Sequence, residues 1–419
     1  MDSTAQPSPT STERMPDVSS MHIAMVGTRG VPARYGGFET AVEEVGRRLA
    51  AAGHRVVVYC RTSADAESAP AETYLGMELV HLPAARKRSL ETLSHSAISV
   101  AHLIRHRTDV AFVFNAANAP LLPLVRAARI PVATHVDGLE WQRAKWGGAG
   151  RRYYRAAEAM AVRWSDALIA DAVGIGDYYR REFDAPTELL TYGAPLIAPG
   201  SDRLAELDLE PGGYHLVVAR FEPENHVDVI VDGYRRSAAT KPLVVVGSAP
   251  YSDDYTARVH GLADDRGRFL GGVWDQAQLD QLYGNSFTYL HGHSVGGTNP
   301  SLLRALGGGA AVLAFDVDFN REVTAEAGRY WRGADDVAAL VDAAEADPDA
   351  TAKDGVRARE LAGGYDWDDV AAGYERLARR LAARDVPARR PSGRRGGAHG
   401  GGHPLDESAT NPVNGRLPR

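Results

Sequence analysis

The chain has 419 residues, 44% of them hydrophobic and 24% charged, which is long enough for two cores, since single cores stop growing near about 250–300 residues. A formal net charge of −7 offers no basic face for nucleic acid. The single cysteine, Cys60, excludes an intramolecular disulfide and suits a reducing compartment.

Residues 1–20, MDSTAQPSPTSTERMPDVSS, lack the apolar run of a secretion signal and read as a disordered tail. Order is expected from Met21. HIAMVG (His22–Gly27) is a buried strand, TRGVPARYGGF a Gly-rich loop, and ETAVEEVGRRLAAAG a helix with Val42, Val45 and Leu49 on one face and Gly53 as its stop. HRVVVYCR is the next strand. Strand, Gly-rich turn, helix and strand make a βαβ unit, which implies a parallel sheet. DVAFVFNA, IPVATHV, SDALIADA and TELLTYGAP extend that sheet and close a first domain at residues 21–195. The run most like a membrane span, Val110 to Val125, is broken by Asn115, Asn118, Pro120 and Pro123, short of the roughly 18 apolar residues a span needs. A cytoplasmic protein is the expectation.

Residues 196–212 are Pro-rich without a strong pattern and read as a hinge. The alternation then restarts. YHLVVAR, PLVVVGS, RFLGGV, FTYLHGH and AAVLAFD are strands. HVDVIVDGYRR, DQAQLDQLYGN and NPSLLRALGG are helices, in a second domain at residues 213–363. The fold class is therefore α/β, with two Rossmann-like halves facing across a cleft, where open α/β sheets bind ligands. A strongly amphipathic helix, DWDDVAAGYERLARRLAARD, closes the structure at residues 364–385. Residues 386–419 are rich in Gly, Pro and Arg and read as a disordered tail. His399 and His403 lie there without a frame that would hold a metal.

Gly27, Gly30, Gly36 and Gly37 surround the first turn. Glycines let backbone N–H groups approach an anion, and the following helix adds its positive end. A diphosphate is the natural ligand; a tight turn is the plainer reading. The spacing G-x-x-G-x-P-x-x-x-G-G departs from a nicotinamide fingerprint. Arg220, at the end of YHLVVAR, is placed to grip a diphosphate and stabilise it as a leaving group, or to make a surface ion pair. Gly296, Gly297, Thr298 and Asn299 form a second Gly-rich loop, with Pro300 opening the next helix.

GTRGVPARYGGFET resembles the opening of bacterial family 4 glycosyltransferases, in the rhamnosyltransferase-like group of surface-polysaccharide biosynthesis. HVDGLEWQRAKW (His135–Trp146), ARFEPENH (Ala219–His226), HSVGGTNPSLL (His293–Leu303) and DFNREV (Asp318–Val323) are similar to further motifs of that group. The resemblance implies a GT-B fold, in which the N-domain mainly binds acceptor and the C-domain mainly binds donor. It implies transfer with retention of configuration, a nucleotide-sugar donor, L-rhamnose from dTDP-rhamnose by group resemblance, and a glycan or lipid-linked acceptor. It implies neither metal nor cofactor.

Carried over residue by residue, the resemblance makes Arg220, His135 and Asp137 the catalytic candidates. Gly36, Gly37, Asn225, Gly296, Gly297, Thr298, Asn299, Arg304 and Glu322 become donor-binding candidates, and Glu39, Glu140 and Trp141 acceptor-binding ones. Asn225 stands where many family members carry a second cation, a Lys. Gly296 and Arg304 stand where the wider family carries two Glu, so the usual grip on the ribose is altered. The plainer readings are a structural histidine for His135, helix-start packing for Glu140 and Trp141, and a helix N-terminal charge for Glu39. Arg86-Lys87-Arg88 and the run Lys145, Trp146, Arg151, Arg152, Tyr153, Tyr154, Arg155 suit peripheral contact with the inner face of an anionic membrane, or a solvated helix face. Two rival functions fit the same features: a nucleotide-sugar epimerase or hydrolase, and a catalytically silent glycosyltransferase-like partner.

Overall fold

Alternate side chains of β1 (His22–Val26) enter different cores. Ile23 and Met25 join one, Ala24 and Val26 the other, as a strand covered on both faces requires. The computed structural model describes residues 19–33, 36–62, 71–85, 88–136, 139–143, 146–198, 200–247 and 253–386. Apart from Ser19, Ser20 and Val386, the two tails lie outside those residues.

After β1 come β2 (Arg55–Arg61), β3 (Thr73–Tyr74), β4 (Met77–Leu82), β5 (Val110–Phe114), β6 (Val132–His135), β7 (Ala167–Ala170) and β8 (Glu188–Leu189). They form one sheet in the order β3-β4-β2-β1-β5-β6-β7-β8. Its pairings are parallel except for the β3–β4 hairpin. The second sheet comprises β9 (His215–Val218), β10 (Leu243–Val246), β11 (Gly267–Gly271), β12 (Thr288–His291), β13 (Ala311–Phe315) and β14 (Gly328–Trp331). Its order is β11-β10-β9-β12-β13-β14, parallel throughout.

In each sheet the chain first winds outward from one strand, then returns to its other side. β1 separates β2 from β5, and β9 separates β10 from β12. The loops after β1 and β9 therefore sit at the two topological switch points, where doubly wound sheets open a crevice. β9 ends at Val218, so Arg220 stands in the loop beyond the strand rather than at its end.

The segment joining the sheets carries a short turn, Ala205–Leu207, and is tied to the second sheet's helix Gln276–Gly284. Arg203 N donates to Gln281 Oε1 at 2.8 Å, and Gly212 N to Asn285 O at 2.8 Å. The last helix, Trp367–Ala382, is capped by Asp366, which accepts from Asp368 N. It crosses back to lie on the first helix, Gly37–Ala51. Ala194 N donates to Tyr365 O at 2.7 Å where the two crossing segments meet. One hydrophobic cluster consequently runs from Ile23 and Phe112 through Tyr374 and Leu377 to Leu216 and Leu306. Separate clusters cover the outer faces of the two sheets. Val110 to Val125 resolves into β5, a 3-10 turn Ala116–Leu121 and a short helix Leu122–Ala127. No helix among the described residues is long and apolar enough to cross a membrane.

Candidate functional site

The first wall is built on the loops after β1 and β6. Gly36 is extended, and Gly37 opens the first helix. A Cβ on Gly37 would lie 3.3 Å from Pro300 Cγ of the opposite domain and 3.3 Å from Tyr192 Oη, so the two walls touch here. Glu39 reaches back along its own loop: Oε1 accepts from Arg29 N at 3.1 Å. That contact gives Glu39 a part in shaping the loop.

His135 ends β6 and is buried between the rings of Phe38, Phe114 and Tyr192. Its Nδ1 lies 3.2 Å from Tyr374 Oη of the last helix, and its Nε2 has no hydrogen-bond partner among the described residues. Burial pushes its pKa down to about 3, so the ring is neutral and suited to hydrogen bonding rather than to carrying charge. Asp137 lies outside the described residues.

Glu140 and Trp141 belong to a turn, Glu140–Gln142. Glu140 Oε2 pairs with Arg143 Nε at 2.6 Å, and its Oε1 accepts from Trp146 Nε1 at 3.2 Å. Both carboxylate oxygens thus contact Arg143 and Trp146. Trp141 carries the Arg155 guanidinium 5.1 Å from its ring centre. With Arg155, Tyr178 and Arg181 it lines a cavity of about 260 Å³.

The second wall is built on the loops after β9 and β12. Asn225 is buried, and its side chain joins these loops. Nδ2 donates to Arg220 O at 2.8 Å, and Oδ1 lies 2.8 Å from His293 Nδ1. With both ends bonded inside the protein, Asn225 holds the loop that presents Arg220. His293, quoted in a motif but not singled out from sequence, is buried beneath this loop. Its pKa lies well below the ordinary value, first through burial and then through the positive charges of Arg143 and Arg220.

Gly296 has φ +134°, and a Cβ there would press to 3.1 Å from His293 Nε2; the loop needs glycine where the wider family has Glu. Gly297 faces Asp171 across the cleft, 2.1 Å from Oδ1 to the place a Cβ would take. Thr298 Oγ1 donates to Asp171 O at 2.7 Å. Asn299 caps the helix Pro300–Gly308 by accepting from Ser301 N at 2.9 Å. Arg304, on that helix, pairs with Asp280. An internal acid thus accompanies it in the ligand-free protein. Glu322 reaches across to the first domain and accepts from Val173 N at 2.7 Å and Gly174 N at 3.3 Å. There it caps the start of the helix Val173–Phe183.

Arg220 is about half exposed, with Nη1 3.5 Å from Glu222 Oε1. The other oxygen of Glu222 lies 3.4 Å from Arg143 Nη1. Among the described residues no three of His, Cys, Asp and Glu converge in a way that would hold a metal ion. The structure therefore brings together Arg220, the second Gly-rich loop, Gly37 and His135's neighbours at the meeting of two switch points. Guanidinium groups beside glycine-rich loops and a helix start suit an anionic ligand with several oxygens.

Residues 36–192 match the family described as Glycosyl transferase 4-like domain. No curated protein matches the sequence. Among solved structures, the fold is similar to sucrose-phosphate synthase from Thermosynechococcus elongatus, at TM-score 0.74 and 20% identity, covering 86% of this chain and 99% of that one. It is similar to HepE of Anabaena in complex with UDP-glucose, at TM-score 0.66 and 16% identity, covering 86% of this chain and 100% of that one. It is also similar to WaaG, a glycosyltransferase involved in lipopolysaccharide biosynthesis, at TM-score 0.63 and 17% identity, covering 86% and 99%. At these identities the likeness speaks to the fold, which is GT-B: two parallel-sheet Rossmann-like domains.

Proposed function

We infer that this protein, a two-domain glycosyltransferase of the GT-B fold, moves a sugar from a nucleoside diphosphate onto a glycan or lipid-linked acceptor. The observation that carries the reading is the meeting of the two switch-point loops, with Gly37 against Pro300 and the Arg220 guanidinium beside them. HepE binds UDP-glucose, and the motif resemblance favours dTDP-L-rhamnose. These two donors are the ones to test first. The reaction proceeds with retention, the acceptor hydroxyl attacking on the face from which the diphosphate leaves. Arg220 offsets the leaving group's charge, and neutral His135 hydrogen-bonds a substrate oxygen. Asp137 is the remaining catalytic candidate. Gly36, Gly37, Gly296, Gly297, Thr298 and Asn299 shape the donor site, through backbone groups where their side chains are engaged. Charged side chains and helix ends serve in place of a metal.

Arg151, Arg152 and Arg155 are exposed on the helix Gly148–Trp164. Tyr153 Oη meanwhile donates inward to Ala117 O, and Tyr154 packs on Trp146. That basic face suits peripheral contact with an anionic membrane carrying the acceptor; Arg86, Lys87 and Lys145 lie outside the described residues.

A thermal-shift screen of UDP- and dTDP-sugars, followed by mass spectrometry of acceptor mixtures, tests the reading. A true donor at a hundred times its Kd stabilises the fold by about 2.7 kcal/mol. Release of free sugar with no acceptor product would favour a hydrolase. No response to any nucleoside diphosphate would favour a silent partner protein, a reading to which the internal partners of Asn225 and Arg304 lend weight.

A further inference from the structure

We propose that Arg143, carried by the first domain, is the second cation of the donor's diphosphate site, and that Glu222 is an internal anion occupying that site until the diphosphate displaces it. The inference rests on the donor reading above and extends it to a residue and a partner exchange.

Three observations lead there. The first is a deficit. Asn225 stands where the resemblance implies a Lys, and both ends of its side chain are engaged within the protein. Arg304 is paired with Asp280. Arg220 therefore needs a cation from elsewhere if a diphosphate is to be neutralised.

The second is geometry. Glu222 lies between two guanidinium groups from opposite walls, with Oε1 3.5 Å from Arg220 Nη1 and Oε2 3.4 Å from Arg143 Nη1. Both separations exceed the roughly 2.7–2.9 Å of a good charge-assisted hydrogen bond, so neither guanidinium holds Glu222 tightly. Arg143, by contrast, is anchored along its other edge. Its Nε pairs with Glu140 at 2.6 Å, and Trp146 Nε1 steadies Glu140 at 3.2 Å. Arg143 thus stands between two acids, Glu140 beside its Nε and Glu222 beside its Nη1. The Arg143 and Glu222 side chains are mostly buried, at 14% and 26% exposure, which limits screening of their charges.

The third is electrostatic. Arg143 and Arg220 both act on the buried ring of His293, and their positive charges oppose its protonation. They converge on one region although they come from different domains. A diphosphate carries more negative charge than one carboxylate, and its oxygens are spread over a greater length. It can engage both guanidinium groups at closer range than Glu222 does. The pair of cations exists only while the domains are together, so a ligand that prefers the pair also favours the closed arrangement.

The test is calorimetric titration of the full-length protein and three variants with UDP and dTDP. Arg143→Ala is expected to weaken diphosphate binding by roughly 30-fold or more, the scale for loss of a buried charge partner. Arg143→Lys is expected to restore part of it, since an ammonium keeps the charge but not the fork. Glu222→Gln is expected to strengthen binding several-fold, because it removes the competing anion. Opposite signs are the signature. If Glu222→Gln weakens binding alongside Arg143→Ala, the trio is a structural latch and the proposal falls. Unchanged affinity in Arg143→Ala overturns it equally. Should Arg143→Ala not fold by circular dichroism, the signs for Arg143→Lys and Glu222→Gln decide. Wild-type protein that binds neither diphosphate and transfers no sugar overturns the donor reading itself; wild-type binding with the wrong pattern in the variants overturns this inference alone.

Discussion

Arg220 is presented by backbone rather than by its own ion pair. Its carbonyl accepts from Asn225 Nδ2, while its guanidinium makes a long contact to Glu222. Such a group loses little on refolding around a ligand and contributes where charge develops. Replacing Arg220 by Ala is expected to lower turnover by roughly 10²–10³-fold, the size seen for one major charge-stabilising donor, with the circular dichroism spectrum unchanged. Arg220→Lys is expected to recover only part of the rate. Initial rates with the identified donor check both, and near-wild-type turnover in the Ala variant would remove Arg220 from the mechanism. At this scale the sequence was informative about position and less so about partners. Arg220 was legible because it follows an apolar strand into a polar loop. Arg143 was quoted within a motif but had no claim over its neighbours, since its cleft-side partner, Glu222, lies 79 positions away. Glu39, Glu140, Asn225, Arg304 and Glu322 all carry the right chemistry for a ligand, and in the structure each also has protein partners that spacing alone does not reveal.

The elements most easily read were the buried strands, because a strand covered on both faces is apolar almost throughout. β1, β2, β5 and β10 show this directly. The β3–β4 hairpin was not seen. Its strands are only partly buried, and Thr73 and Glu78, paired across it, are polar. The helix Arg88–His106 is not legible, and Gly148–Trp164 is legible only as a solvated face, their apolar faces diluted by His, Ser, Arg and Gly. Loops at the cleft are where small residues matter most. A Cβ at Gly297 would collide with Asp171 Oδ1. Thr298, next to it, makes a cross-domain hydrogen bond to the Asp171 carbonyl. Gly297→Ala is expected to force the two loops apart at a cost of about 1–3 kcal/mol, the usual size of overpacking, while each sheet stays intact. Donor affinity by titration should fall by about ten-fold or more, with secondary structure by circular dichroism preserved. An Ala variant that binds as wild type would show that the contact is not needed in the ligand-bound arrangement.

Across the whole molecule, neutral buried histidines lie in both domains. Burial pushes His135 and His291 down to about 3 and His293 well below its ordinary value. In the unfolded chain each returns to about 6.5. Above that pH both states are neutral and these groups add no pH dependence. Below it the unfolded state binds protons that the folded state refuses, so stability declines as pH falls from about 6.5 toward 3. The midpoint of thermal unfolding is expected to be level from pH 8 to 7 and to drop progressively below about 6.5. His291→Asn is expected to show a shallower drop than the wild type. A midpoint that holds steady down to pH 5 would contradict the buried neutral state.

The last helix has one more effect, on the order of events during synthesis. Tyr374 stands beside His135, and Trp367 covers Gly193 so closely that no side chain fits there. Both come from a part of the chain that leaves the ribosome after the second sheet. The first domain can form its strands early, but His135 lacks its neighbour until almost the whole polypeptide has emerged. An interrupted or prematurely ended chain therefore carries a first domain in which His135 lacks the Tyr374 hydroxyl and Gly193 lacks its indole cover.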